Sequence, residues 1–163
     1  MLDFKSQFVE MFGNPVLNEK QWISKEIQEL VTSDCTISYG IVQTGEEVDD
    51  GIPVFRPVDI VNNIPKIGDL KKTAKEISNR YKKTILKGNE LLITVRANIG
   101  DTYIIDESFK NCNVGRGITP LRFNKKYINT YFIKTQLDNE EMKYKIKKLA
   151  KGIALLQLNM EDL

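Results

Sequence analysis

Three arginines stand where a side chain can be aimed rather than merely displayed. Arg56, Arg96 and Arg116 each lie at or beside the end of an apolar run, next to Pro57, Ala97-Asn98 and Gly117. A guanidinium held at a rigid strand end can pair bidentately with guanine O6 and N7. Gln43 and Asn98, both in loop-like text, carry the amide that matches adenine N6 and N7. Tyr39 offers a ring for stacking and a hydroxyl for phosphate. Taken singly, each of these residues reads as a surface ion pair or a loop hydrogen bond. Together with the charge distribution along the chain, they point to a reader of nucleic acid.

Other chemistries are poorly supplied. The chain of 163 residues has no histidine, so it lacks an imidazole base, a nucleophile–histidine triad and a histidine metal ligand. Its two cysteines, Cys35 and Cys112, form no Cys-x-x-Cys pair, and a zinc site would need two more soft ligands. They read best as reduced core thiols. Gly115-Arg116-Gly117 lacks the third glycine, the following helix and the acidic residue of a dinucleotide-binding loop. No Asp/Asn-Pro-Pro-Tyr stretch of a methyltransferase occurs. One catalytic alternative stays open. Asp59 with Asp69 and Lys71 loosely imitates the carboxylates and lysine with which metal-dependent nucleases hold Mg²⁺ and clamp a phosphate.

Charge is uneven along the chain. Residues 1–65 hold four basic and eleven acidic side chains, and residues 66–163 hold twenty basic and eleven acidic, so a net of −7 meets a net of +9. The densest basic stretch, 66–87, has eight Lys/Arg against Asp69 and Glu76. Such asymmetry suggests one face for a polyanion and another for something else. Lys71, Lys72, Lys75, Arg80, Lys82 and Lys83 are the candidates for phosphate contacts.

The elements that must position these groups follow from hydrophobic period. At about 100–200 residues per domain, the length fits one domain, large enough for a core without staples. Phe4, Phe8 and Met11 predict a helix over 2–12, stopped by Gly13-Asn14-Pro15. Short apolar runs at 22–30, 52–55, 90–95, 101–105 and 118–123 predict strands, with loops between them and a short helical turn at 75–80. Beyond Asn124, Tyr127, Ile128, Tyr131 and Phe132, then Met142, Ile146 and Leu149, recur at three and four, predicting two closing helices. The expected class is α+β, a curved, mainly antiparallel sheet flanked by helices. No apolar run reaches the roughly 18 residues of a membrane span, and the amino terminus is not a signal peptide, so a cytoplasmic location with no membrane partner is expected.

Several ordered pieces resemble a known family. Ser6-Gln7-Phe8-Val9-Glu10-Met11-Phe12-Gly13-Asn14-Pro15 followed by Trp22 resembles the opening of a target-recognition domain in specificity subunits of type I restriction–modification enzymes. Tyr39-Gly40-Ile41-Val42-Gln43 is similar to that family's Tyr-Gly-x-x-Gln stretch, and 51–56 to its next strand. Leu86-Lys87-Gly88-Asn89-Glu90-Leu91-Leu92-Ile93 with Gly100 is similar to its Gly-Asp-Ile-Leu strand. Lys151-Gly152, Ala154, Gln157-Leu158-Asn159 and Leu163 resemble its closing segment. Two departures stand out: Asn89 replaces the aspartate, so pinning that turn falls to Asn89 or Glu90, and Leu155-Leu156 replaces a more polar stretch.

The resemblance implies a non-enzymatic subunit that binds one half of a bipartite site on double-stranded DNA. It implies methyltransferase and restriction/translocase subunits as partners, and a second recognition domain with which this one pairs. No cofactor is expected on this chain, while S-adenosylmethionine, ATP and Mg²⁺ belong to the partner subunits. Residues 1–14 are expected to end a preceding spacer or form a docking helix, and residues 15–163 to form the recognition domain. The chain stops before the Pro-rich strand and long spacer helix expected next, so it reads as one recognition domain, a natural half-subunit or a piece of a longer one. A protein-interaction module that does not read DNA stays open beside the nuclease.

Overall fold

The computed structural model describes residues 4–35, 37–60 and 65–150, with the side chain of Ile60 excepted. The closing segment from Lys151 that carries part of the resemblance lies outside them.

Helix α1 (Phe4–Phe12) forms as its apolar spacing requires, and Gly13, at φ +82°, ends it. Lys20 Nζ and Trp22 Nε1 donate to the last carbonyls of α1, those of Glu10, Met11 and Phe12. Phe8 and Phe12 pack on Phe132 with ring centroids 5.3 and 5.2 Å apart. Residues 22–30, expected as a strand, divide instead. The chain has no regular element up to Glu26 and then makes the short helix α2 (Ile27–Leu30). The Glu29 carboxylate reaches back to accept from the Glu26 N–H at 2.9 Å, a local cap, and Ile23, Ile27 and Leu30 stand four and three apart, the helical period rather than a strand's.

Two three-stranded sheets follow. In one, β1 (Ile52–Phe55) pairs antiparallel with β2 (Lys72–Thr73) and parallel with β5 (Asn113–Val114). In the other, β3 (Leu91–Thr94) lies antiparallel between β4 (Thr102–Ile104) and β6 (Ile118–Leu121). The class is α+β and mainly antiparallel, as expected, but split between two sheets. All of β3 is buried: Leu92 enters a core with Phe55, Val114 and Ile118, whereas Leu91 and Ile93 enter a second core with Leu121, Leu137 and Ile146. Burial on both faces explains why its text is a continuous apolar run rather than an alternation.

The basic stretch is more ordered than loop-like text suggests. It contains 3₁₀ turns at Ile67–Asp69 and Lys82–Thr84, strand β2 and helix α3 (Lys75–Arg80). The closing helices are α4 (Thr130–Leu137) and α5 (Glu140–Leu149), each capped by an asparagine, Asn129 and Asn139. Tyr127 and Ile128, expected in the first of them, lie in the preceding turn. Cys35 and Cys112 are buried and unbridged; burial raises both thiols, that of Cys112 to about 11. Among the described residues, no helix is long and apolar enough to cross a membrane.

Candidate nucleic-acid interface

The turn at 115–117 joins the two sheets, since β5 belongs to one and β6 to the other. Gly115 N–H donates to Phe55 O at 2.6 Å, Arg116 N–H to Ile41 O at 2.9 Å, and Val95 N–H to Gly117 O at 2.8 Å. Glycines make this junction sterically feasible. A Cβ on Gly40 would lie 2.1 Å from Val114 O, and one on Gly117 would lie 2.3 Å from Pro57 Cγ. The Tyr39-Gly40 pair therefore has a packing cause: only glycine lets the 39–41 segment run against β5. Through this seam Tyr39, Arg56, Arg96 and Arg116 meet. The Gly115 Cβ position is 3.6 Å from Arg56 Cγ, and that of Gly117 is 3.4 Å from Arg96 Cβ.

The three arginines differ in their commitments. Arg56 donates from its backbone N–H, Nε and Nη2 to the Asp59 carboxylate at 2.8, 2.9 and 2.6 Å. That partner raises its pKa, so much of this fork is engaged inside the domain. Arg96 is half-buried, and both desolvation and the neighbouring Arg116 charge lower its pKa, with Tyr39 acting the other way. Arg116 is exposed and has no carboxylate partner among the described residues. Two like charges placed together at a rigid junction favour an incoming anion or an acceptor-rich base edge.

Asn98 sits at the exposed tip of the 95–100 loop. The Thr94 hydroxyl binds the Asn98 carbonyl and accepts from the Asp101 N–H at 3.0 Å, while Gly100 N–H donates to Thr94 O at 2.9 Å. Ala97, at φ 59°, is a non-glycine residue in the left-handed region. Such strain persists only where the surroundings impose it. The loop is thus short and tightly held. Gln43 does not join this cluster. It lines a cleft of about 570 Å³ with Gly45, Ile77, Arg80 and Tyr81.

The phosphate candidates also divide. Lys71 Nζ donates to Gly45 O at 2.7 Å and Lys72 Nζ to Asp49 O at 2.8 Å. Val48 N–H and Thr73 Oγ1 complete the strap, donating to Lys72 O and Thr44 O. The acidic 44–51 loop therefore packs directly on the basic stretch, and here the two halves of opposite charge do not form separate faces. Lys75, Arg80, Lys82 and Lys83 are exposed on α3 and the turn after it. A residue that sequence reasoning missed anchors them. Asn113 is fully buried and accepts from Thr84 Oγ1 at 2.7 Å. Its Nδ2 donates to Ser78 Oγ at 3.0 Å and Tyr81 O at 3.3 Å. The available signal was an amide set within the apolar run Cys112-Asn113-Val114, since a buried polar group needs partners.

At the turn where the resemblance is imperfect, Glu90 does the pinning. Its Oε1 accepts from Lys87 N–H at 2.6 Å, while Asn89 adopts φ 62° and its amide binds Glu107. The nuclease alternative gains no support. Asp59 is engaged by Arg56 and Lys71 by Gly45, and among the described residues no three His, Cys, Asp or Glu side chains could hold a metal together.

The family model for the type I restriction modification DNA specificity domain matches residues 19–163. The chain is 28% identical over 161 residues to the type I restriction enzyme EcoBI specificity subunit of Escherichia coli, covering 99% of this chain and 34% of the relative. It therefore spans about a third of that subunit's length. A type I restriction-modification S subunit from M. genitalium shares the fold at TM-score 0.55 and 17% identity, over 88% of this chain and 32% of that one. The HsdS subunit from Thermoanaerobacter tengcongensis does so at TM-score 0.56 and 15% identity, over 97% and 38%. The match is to specificity domains, in keeping with a chain expected to read rather than to catalyse. With 145 of 163 residues inside the family model, the chain belongs to the type I restriction modification DNA specificity domain family.

Proposed function

We propose that this domain reads one half of a bipartite site on double-stranded DNA and directs methyltransferase and restriction/translocase subunits to it. A second recognition domain reads the other half. S-adenosylmethionine, ATP and Mg²⁺ act on the partner subunits, in the cytoplasm. The observation that carries this reading is the meeting of Arg96 and Arg116 at the glycine-lined junction of the two sheets, beside the tightly held loop that displays Asn98. Phosphate contacts from Lys75, Arg80, Lys82 and Lys83 set register, with Lys71 and Lys72 adding to the field.

The test is Arg116→Ala in a reconstituted methyltransferase complex, measured on the cognate duplex and its single-base variants. Loss of a bidentate guanine contact costs about 1–3 kcal/mol and relaxes preference at one base pair. Equal weakening on every duplex, or no change at all, would remove Arg116 from base reading.

A further inference from the structure

The sequence places its densest basic stretch at 66–87, yet the C-terminal half of α5 carries a second set, Lys145, Lys147 and Lys148, all exposed. The fold packs α5 beside the reading loop. Gly100 closes that loop, and its Cβ position lies 3.6 Å from Ile146 Cγ2 and 4.0 Å from Lys143 Cγ. Lys143 Nζ binds Asp101 Oδ1 at 2.9 Å and lies 3.6 Å from Asp138 Oδ1, so its charge is matched within the domain. Lys147 follows Lys143 by one helical turn, and residues four apart share a helix face. It therefore continues the Lys143 side of α5 past the loop. Among the described residues Lys147 pairs with no carboxylate.

The arrangement across the domain is continuous. The basic α3 region is tied through Asn113 to β5. Strand β5 leads into the 115–117 turn, which bonds to Val95, and the loop beginning there packs through Gly100 on α5. The reading residues are thus joined by an unbroken chain of contacts to two basic elements from distant parts of the chain.

We propose that α5 is a second phosphate-contacting element, with Lys147 gripping the DNA backbone across the reading loop from Lys82 and Lys83. This rests on the DNA-reading function proposed above. Two grips on either side of one loop would fix the loop's depth and direction in a groove, which a single grip leaves free to pivot.

The experiment measures binding of the purified full chain to a generic duplex across a salt series. Variants are Lys147→Gln, the pair Lys82→Gln and Lys83→Gln, and Lys110→Gln as a control. Glutamine is a good helix former, so α5 should persist, and a circular-dichroism melt checks this. The proposal expects Lys147→Gln to lower the log–log salt slope by about 0.9, as for each lysine of the pair, with Lys110→Gln leaving it unchanged. An unchanged slope for Lys147→Gln, with a lowered slope for the pair, overturns the α5 contact and leaves DNA reading intact. Absence of duplex binding by the unsubstituted chain, even at low salt, overturns both.

Discussion

The two ends of β6 carry one arginine each, Arg116 just before the strand and Arg122 just after it. At the far end Arg122, whose side chain is 14% exposed, donates from Nε and Nη2 to Glu90 Oε1 at 3.2 and 2.9 Å, and from Nη1 to Asp34 O at 3.2 Å. Glu90 is fully buried. The Arg122 N–H also contacts Cys35 Sγ at 3.3 Å, and Thr32 N–H donates to Arg122 O at 2.8 Å, so this arginine ties the 31–35 segment to the sheet edge. At the near end Arg116 stands exposed beside another guanidinium. The same side chain, six residues apart, is a structural clamp at one end and a poised contact at the other. What distinguishes them is a buried carboxylate, not a local motif.

The comparison breaks first on stability. Removing one partner of a buried ion pair strands the other charge, so Arg122→Ala should cost about 3–5 kcal/mol. Arg116→Ala, an exposed change, should stay within about 0.5 kcal/mol. Urea unfolding of both variants decides it, and similar losses would abolish the distinction.

A second contrast of the same kind lies in the basic stretch. Lys72→Gln, which removes the tie to Asp49, should cost about 0.5–1.5 kcal/mol of stability and change the salt slope of DNA binding by less than one contact. Lys83→Gln should leave stability unchanged and lower the slope by about 1. If Lys72→Gln lowers the slope by a full contact without loss of stability, its ammonium serves phosphate and not the 44–51 loop.

The smallest effect concerns Asp34, which shares the Arg122 clamp from an exposed position. The Lys87 ammonium, then Thr32 and the Arg122 charge, lower its pKa to about 2. A folded pKa below the unfolded value contributes stability that is present above about pH 4 and is lost as pH falls toward 2. Asp34→Asn should therefore flatten this part of the acid-unfolding profile. An unchanged profile would confine the clamp to Arg122 and Glu90.

Much of the scaffold was legible because its causes are local. The apolar runs that became β1, β3, β4 and β6 announce burial, and the three-and-four spacing around Phe8 and Ile146 announces helices. Residues 22–30 misled because their apolar content suggests a strand, whereas Ile23, Ile27 and Leu30 keep the helical spacing that the Glu26–Glu29 cap completes. Strands β2 and β5, two residues each, carry no periodic signal and form only where β1 offers them partners.

The candidate site divides in the same way. Residue types, glycine positions and the net excess of positive charge in 66–163 belong to the sequence by itself, and they sufficed to point toward a nucleic-acid reader. Which charges face outward was decided in three dimensions. Asp59 engages Arg56, carbonyls of the 44–51 loop hold Lys71 and Lys72, and Glu90 holds Arg122. Arg96 and Arg116, twenty positions apart, become neighbours only through the sheet junction. A side chain's chemistry is written in its residue type, but its availability depends on what the fold places within hydrogen-bond reach, and most of those partners lie far away in the chain.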